Sequence, residues 1–137
     1  MMGLSLLAVP VFLDTNTEAG HLLRQWVRLY HYGHQMMPAM AVTTLALYGY
    51  TARSRQASHK PWRIWGAAGL VTVAMVPFTW IAMTATNNSL FQLDRPRGVI
   101  ELRRVRELVV TWGRLHVVRS LFPLVGAIIG WSGMMDS

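Results

Sequence analysis

The sequence predicts an all-α fold: a four-helix bundle that is integral to a membrane and forms a single domain over residues 1–137. Three observations support this prediction. The chain of 137 residues is 53% hydrophobic and only 14% charged, whereas soluble domains typically carry about a quarter charged residues. Its mean hydropathy is positive, at +0.30. Four apolar segments are separated by polar or basic turns, which is the pattern of membrane helices.

The excess of basic residues is consistent with a membrane protein. The formal net charge is +7, from 13 Lys and Arg against 6 Asp and Glu. Most of these basic residues cluster between apolar segments, where Lys and Arg commonly flank membrane spans. Neither a zinc motif nor a recognition helix accompanies the charge, so we expect a lipid bilayer and not nucleic acid as a partner. The chain has no cysteine, which excludes disulfides and thiol chemistry.

The first predicted helix covers residues 1–13, with Pro10 inside it. Thirteen residues of helix rise about 20 Å, and a full span requires roughly 20 residues. We therefore expect a first helix that is short, or one whose natural start lies upstream of Met1. No basic segment precedes it and no convincing cleavage site follows Pro10, so a secretory signal is not predicted. The polar turn that follows offers Asp14 or Thr15 as a helix cap.

The next two predicted helices differ in character. The second starts amphipathically over residues 20–35, becomes apolar over residues 36–50, and ends at a basic turn, residues 51–63. The third covers residues 62–84, in which Arg63 is the only charged residue. Pro77 is expected to kink this helix and to leave a backbone carbonyl free.

The end of the chain is predicted to hold a loop and the fourth helix. A polar loop over residues 87–98 leads into a helical stretch over residues 99–110 and then a span over residues 108–131. The Gly126 and Gly130 pair forms a GxxxG motif, which predicts close helix packing and would also suit a homo-oligomer contact.

Ionisable residues inside the fourth span are the first indication of a site. Arg114, His116 and Arg119 lie within an otherwise apolar helix, where such groups normally face the bundle interior, water or the headgroups. Trp112, His116 and Arg119 follow the i, i+4, i+7 pattern, so they share one helix face. Arg114 points elsewhere and is interpreted as an interfacial side chain that reaches the headgroups.

The second helix carries a matching polar group. His31 and His34 lie one turn apart where this helix becomes apolar. An HxxH pair on a helix can bind a metal, and His116 would then supply a third ligand. No carboxylate lies within any predicted span, so metal binding is the less favoured interpretation. In the favoured interpretation, one histidine forms a hydrogen bond at the membrane interface and the other lines a pocket.

In a four-helix arrangement these polar groups converge. The start of the second helix, the end of the third and the start of the fourth all lie at the same end of the bundle, with Asp14 nearby. That end therefore contains both histidines of the HxxH pair, and Thr86 and Asn87 of the sequence ATNNS. It also contains the face of the fourth span that carries Trp112, His116 and Arg119. Chance would distribute polar groups over both ends, so the sequence predicts a site here, with ATNNS as one wall.

Two stretches carry a family resemblance. PFTWIAMTATNNSL and LVVTWGRLHVVRSLFPLVGAIIG, residues 77–90 and 108–130, resemble the motifs Pro-x-Thr…Thr-Asn-x-x-Leu and Trp-x-x-x-His-x-x-Arg of the anthrone oxygenase family. These are small four-helix membrane proteins of fungal polyketide pathways. LLAVPVFLD and LLRQWVRLYHYGHQMMPAMA are similar to the fungal members as well, so the resemblance covers nearly the whole chain. Family members usually have a longer first helix.

The resemblance implies a monooxygenase that uses dioxygen to convert the central methylene of an anthrone into the ketone of an anthraquinone. Loss of one methylene proton gives an aromatic anion that can reduce dioxygen, so neither a metal nor another cofactor is expected. His116, or His31 or His34, would be the base. Arg119 and Asn87 would hold the developing oxyanion. Trp112, with Trp80 or Tyr30, would stack on the flat substrate, and Thr86 would also bind it. Most Trp and Tyr residues of a membrane protein form interfacial belts, so Trp112 is the favoured aromatic residue. We expect the protein in the endoplasmic reticulum or another endomembrane.

Two other functions remain open from the sequence. One is a metal- or haem-dependent membrane oxidoreductase that uses His31, His34 and His116. The other is a non-catalytic membrane subunit that binds a flat polyketide and passes it on. Metal analysis of purified protein distinguishes the metal- or haem-dependent enzyme from a cofactor-free oxygenase. Anthrone turnover under air, compared with a control without enzyme, distinguishes an enzyme from a non-catalytic subunit.

Overall fold

A computed structural model of the chain describes residues 2–94 and 100–135, which form four helices and contain no strand. We number the helices α1 (Leu4–Thr15), α2 (Ala19–Ala57), α3 (Arg63–Leu93) and α4 (Leu102–Met135). The all-α prediction and the number of helices are confirmed for the described residues. By length and composition, α3 and α4 are apolar enough to cross a membrane, while α1 is apolar but short.

Helix α2 is longer than predicted. It continues through the first part of the basic turn and ends at Ala57 instead of near residue 50. Residues 50–57 contain no glycine or proline that would end the helix. The hydroxyl of Thr51 donates to the carbonyl oxygen of Leu47, four residues earlier and 2.9 Å away, as is common for threonine in a helix. The chain reverses only after Ala57, where His59 has a positive φ of 54°.

Helix α3 also continues past its predicted end. The residues predicted as the start of a polar loop, NNSLFQL, are helical to Leu93. Burial accounts for the difference, because Leu90 is fully buried in the same core cluster as Trp26 and Val109. The remainder of the predicted loop, residues 95–98, lies outside the described residues. The predicted helical stretch and the fourth span are a single helix that begins at Leu102, and Val99 lies outside the described part of the chain.

The middle of α3 is irregular around Pro77, as the sequence predicts. A turn at Ala74 precedes the proline, and a π-helical segment, Thr79–Met83, follows it. A proline donates no backbone hydrogen bond, so nearby carbonyl groups need other donors. The Thr79 hydroxyl also donates to Met75 O over 2.7 Å, in addition to the backbone bond that this carbonyl receives.

Small residues of α4 allow it to pack closely on α3 and α2. A Cβ atom at Gly126 would overlap the hydroxyl of Thr72, and one at Gly130 would lie 2.6 Å from the hydroxyl of Tyr48. The close packing predicted from the GxxxG motif is therefore confirmed, but the contact is within the chain. Both glycines are buried against the chain's own helices, and the homo-oligomer contact predicted through Gly126 and Gly130 stays a prediction.

Helix α1 lies along α4. Val9 packs on Gly113, where an added Cβ would lie 3.3 Å from Val9 Cγ1. Farther along, a guanidinium NH₂ of Arg106 donates to the carbonyl oxygen of Leu13, at the end of α1. The connection to α2 is fixed by Asn16, whose amide donates to Gln25 Oε1 over 2.8 Å. These contacts bring the start of α1 to the middle of α4.

Candidate active site

A cavity of about 250 Å³ lies among the four helices, where polar residues from α2, α3 and α4 meet. Its polar and aromatic lining consists of Tyr30, His34, Thr79, Trp80, Thr84, Asn87, Trp112, His116 and Arg119. Methionine and aliphatic side chains, among them Met37, Met75 and Met83, form much of the remaining wall. The predicted convergence on one site is therefore observed, although the cavity extends deeper than the helix ends, to Pro38 and Met75.

Helix α4 contributes one continuous face to the cavity. Trp112, His116 and Arg119 all line it, whereas Arg114 is exposed and does not. Helix α4 is regular here, so its period of 3.6 residues places Trp112, His116 and Arg119 on one face and Arg114 on another. Within the described residues, Nε of Arg119 and Nε1 of Trp112 are buried and have no hydrogen-bond partner. Both residues line the cavity, and neither of these donors is satisfied by the described part of the chain.

His116 is the most enclosed ionisable group of this face. Only 2% of the residue is exposed. Its Nδ1 atom lies 2.8 Å from Oγ of Ser5, which is also buried. The aromatic ring of Trp112 lies 4.9 Å away, measured between ring centroids. The imidazole is therefore fixed at Nδ1 and on one ring face, and Nε2 is the nitrogen left for a ligand in the cavity.

Sequence reasoning missed Ser5. A signal for it existed, because Ser5 is the only polar side chain among residues 1–13. A single serine in a short apolar helix is usually bonded to its own backbone, so the residue alone did not indicate a partner on α4.

On α3, the two asparagines of ATNNS have different surroundings. Asn87 is 6% exposed and lines the cavity, and its Oδ1 atom is buried without a hydrogen-bond partner in the described part of the chain. Asn88 is exposed. Asn87 therefore lies on the wall of this cavity, within a continuing helix and not at a helix end. Thr86, predicted to bind substrate, is half-buried and does not line the cavity.

On α2, the histidines are separated as well. His34 lines the cavity and stacks on Tyr30, with ring centroids 5.7 Å apart and planes inclined by 9°. His31 is exposed and lies outside the cavity, and its carbonyl oxygen is 2.9 Å from Nδ1 of His34. The metal set of His31, His34 and His116 is not assembled. Across residues 2–94 and 100–135, no group of three or more His, Asp or Glu side chains is placed to hold a metal ion.

The cavity opens between α2 and α3. On that side His34, Pro38 and Thr84 are exposed, and Trp80 is 72% exposed. On the opposite side, against α4, the lining is buried or half-buried. Asp14, expected near the site, is exposed and does not line the cavity. No carboxylate is among the described lining residues, so Arg119 has no counter-ion within the cavity.

These groups suit one kind of chemistry. An imidazole with a free nitrogen can accept a proton from a carbon acid, and an unpaired guanidinium can stabilise the oxyanion that results. The low-dielectric walls strengthen both interactions, because they exclude water from the reacting groups. The arrangement is therefore suited to forming and holding an enolate of an apolar molecule.

Comparison with known proteins identifies the family of the chain. A family model described as anthrone oxygenase matches residues 26–129. An anthrone oxygenase of Aspergillus terreus is 54% identical over 129 residues, which cover 94% of this chain and 85% of that protein. An anthrone oxygenase of a Cryptosporiopsis species is 48% identical over 135 residues, with 98% and 77% covered. The noranthrone monooxygenase of Aspergillus flavus is 41% identical over 138 residues, with 98% and 66% covered. No solved structure matches the chain.

Proposed function

Because the chain belongs to the anthrone oxygenase family and is an oxygenase, we propose that it oxidises its anthrone in the cavity between α2, α3 and α4. One observation carries the assignment of the site. His116, Arg119 and Asn87, which the sequence separates onto two helices, line the same cavity, and two of them present polar atoms without partners in the described chain.

The proposed reaction starts with loss of a proton from the central methylene of the anthrone. Nε2 of His116 accepts this proton, and the negative charge moves to the oxygen of the opposite carbonyl, which makes the central ring aromatic. The anion then transfers an electron to dioxygen, and the two radicals combine to form a carbon–oxygen bond at the former methylene. Protonation gives a hydroperoxide, and loss of water from it leaves the new ketone. Anthrone and dioxygen thus give anthraquinone and water.

Arg119 and Asn87 are assigned to the oxyanion. The unpaired Nε–H of Arg119 is a charged donor in an apolar cavity, where such a donor stabilises negative charge far better than in water. Asn87 faces the same space from α3. A half turn of its amide exchanges Oδ1 for the NH₂ group, so Asn87 can donate to an oxyanion or accept from a substrate hydroxyl.

Aromatic side chains are assigned to the rings of the substrate. Trp112 forms the wall next to His116, Tyr30 and His34 form a stacked pair on α2, and Trp80 stands at the opening. A flat tricyclic molecule offers ring faces to such walls. The apolar lining suits its aromatic body, and the few polar groups determine its orientation.

We propose that no metal, haem or flavin takes part. The anthrone anion is itself the reductant of dioxygen, so the electrons of the reaction come from the substrate. The chain's task is then to remove a proton and to hold the anion, and both tasks are assigned to residues of the cavity. Dioxygen is the co-substrate.

We further propose that the bundle is integral to a membrane, in the endoplasmic reticulum or another endomembrane. The most apolar 18-residue windows of α3 and α4 are only 28% and 22% buried within the chain, whereas an apolar core helix of a soluble protein would be mostly buried. Large apolar side chains such as Ile81, 85% exposed, and Leu70, 73% exposed, need a lipid environment. The opening beside Trp80 would then face the hydrocarbon, from which an apolar anthrone enters.

Turnover of a hydroxylated anthrone by purified full-length protein under ¹⁸O₂ tests the function. We expect anthraquinone to form faster than in a protein-free control, with one labelled oxygen at the former methylene carbon. Saturable binding of the anthrone at the spontaneous oxidation rate would instead identify a carrier and would overturn the proposal.

A further inference from the structure

Ser5 lies on α1, the short first helix. Ser5 is 7% exposed and belongs to the π-helical segment Leu4–Ala8. Its hydroxyl oxygen lies 2.8 Å from Nδ1 of His116, a residue 111 positions later in the chain. The histidine carries the chemistry proposed above, so any group bonded to its ring affects which nitrogen is free.

Three contacts at successive turns hold Ser5 in this place. Ser5, Val9 and Leu13 lie at i, i+4 and i+8, so they share one face of α1. Val9 packs on Gly113, and Leu13 accepts a hydrogen bond from Arg106 through its carbonyl oxygen. Gly113 permits this approach because it has no side chain, and Val9 already lies 3.3 Å from where a Cβ would be. The contacts align α1 with α4 so that its single buried hydroxyl meets the imidazole.

A comparison with Ser120 shows that this contact is not the ordinary behaviour of a buried helical serine. Ser120 is also buried, and its hydroxyl donates to the carbonyl oxygen of His116, four residues earlier on the same helix, over 2.8 Å. That bond satisfies the hydroxyl locally and leaves the imidazole untouched. Ser5 instead bonds to the imidazole ring itself, from another helix.

We infer that Ser5 is a positioning residue that accepts a hydrogen bond from the Nδ1–H of His116 and so keeps Nε2 unprotonated toward the cavity. Neutral imidazole carries one proton, and the partner at one nitrogen determines which nitrogen keeps it. When Nε2 takes the methylene proton, Nδ1–H stays bonded to Ser5, and the hydroxyl dipole stabilises the imidazolium. No bond to Ser5 is formed or broken. The inference rests on the proposed role of His116 as the base.

The inference also gives α1 a function. This helix is short and carries neither of the two family motifs, which lie on α3 and α4, yet it supplies the partner of the proposed base. A base oriented by a third group is the arrangement found in nucleophile–base–orienter triads, with a hydroxyl here in the place usually taken by a carboxylate.

The test compares Ser5→Ala, Ser5→Cys and Ser5→Thr with Ser120→Ala as the matched control, all in the full chain purified in detergent. We expect Ser5→Ala to lower kcat for the anthrone roughly 10- to 100-fold, as for other groups that orient a functional histidine, with KM within about twofold. Ser5→Cys, nearly isosteric but a poor acceptor, should behave similarly. Ser5→Thr, which keeps the hydroxyl, should retain most of kcat, and Ser120→Ala should stay within about twofold of the wild type.

A spectroscopic readout distinguishes positioning from mere packing. With ¹⁵N-labelled histidine, the His116 signals, identified by their loss in His116→Ala, should show the proton on Nδ1 in the wild type and lose that preference in Ser5→Ala. A wild-type proton on Nε2, or a Ser5→Ala variant with normal kcat, would overturn the inference. If wild-type protein does not accelerate anthrone oxidation, the proposed function fails, and the nitrogen signals still decide the role of Ser5.

Discussion

The ring of Trp112 lies 4.9 Å from the ring of His116 between centroids, with the two planes inclined by 32°. On its other side, Trp112 meets the ring of Trp26 edge-on, 6.0 Å away and at 90°. Trp26 is fully buried in the core cluster. The proposed base is therefore linked through one aromatic side chain to the hydrophobic core of the bundle, which limits how far the imidazole can move.

This linkage predicts different results for two tryptophans of the same cavity. Trp112 is 4% exposed and Trp80 is 72% exposed. Trp112→Ala should destabilise the protein by about 3–5 kcal/mol, as loss of a buried aromatic side chain typically does. Trp80→Ala should change the free energy of unfolding by no more than about 0.5 kcal/mol, and raise KM for the anthrone severalfold. Thermal unfolding in detergent and steady-state kinetics measure both effects. Equal losses of stability at the two positions would contradict the difference in burial.

The neighbouring asparagines of α3 give a second matched pair. Asn87 lines the cavity, its Oδ1 atom has no hydrogen-bond partner among residues 2–94 and 100–135, and Asn88 is exposed. Asn87→Ala should lower turnover roughly tenfold or more, as expected for a group that contacts the developing oxyanion. Asn88→Ala should remain close to wild type, because one residue further along a helix points about 100° away. Similar turnover by the two variants would remove Asn87 from the site.

Close packing of α3 and α4 predicts a stability effect at Gly126. A Cβ there would overlap the Thr72 hydroxyl and lie 2.9 Å from the carbonyl oxygen of Ala68. Gly126→Ala should therefore destabilise the bundle by about 1–3 kcal/mol, the usual range for overpacking. Gly49→Ala is the control, because nothing lies within 4 Å of its added Cβ, and it should be neutral or stabilising by up to about 1 kcal/mol. Thermal unfolding of the two variants measures both effects. A Gly126→Ala protein with unchanged stability would show that α3 and α4 can move apart to accept the added Cβ.

A fourth prediction concerns cofactors. If the substrate anion reduces dioxygen directly, exhaustive chelation should leave kcat unchanged, and elemental analysis should find no stoichiometric iron, copper or zinc. A Soret band, or one equivalent of metal that rises and falls with activity across preparations, would show that the cofactor-free proposal is wrong. Variants at His31 and His34 would then identify ligands.

The sequence predicted which residues share one cavity better than it predicted the helix ends. The shared face of Trp112, His116 and Arg119 follows from helical periodicity alone, so the structure had to bring these residues to one side. Asn87 could be predicted because it belongs to a polar cluster at the end of an apolar segment, at the same end of the bundle as that face. The exclusion of Arg114 from the face follows from the same geometry, and the structure places it at the surface.

What the sequence did not predict depends on contacts between distant residues. The polar run after Thr86 resembled a loop, but Leu90 packs in the core and keeps α3 helical to Leu93. The partner of Ser5 is 111 residues away, and local patterns contain no information about it. The GxxxG motif predicted close packing correctly, yet it could not tell a partner helix of the same chain from one of another copy.

The kcat of three variants on α4, two on the face that lines the cavity and one off it, tests the central claim most directly. His116→Ala and Arg119→Ala remove two groups that line the cavity, and Arg114→Ala removes an exposed cation five residues or fewer from each on the same helix. Measured as anthraquinone formation above the protein-free rate, the first two should lose a factor on the order of 100 to 10,000, the usual contribution of an acid–base group, and Arg114→Ala should stay within about twofold. If His116→Ala and Arg119→Ala, folded in detergent, turn over the anthrone as fast as Arg114→Ala, the reaction does not take place at this face.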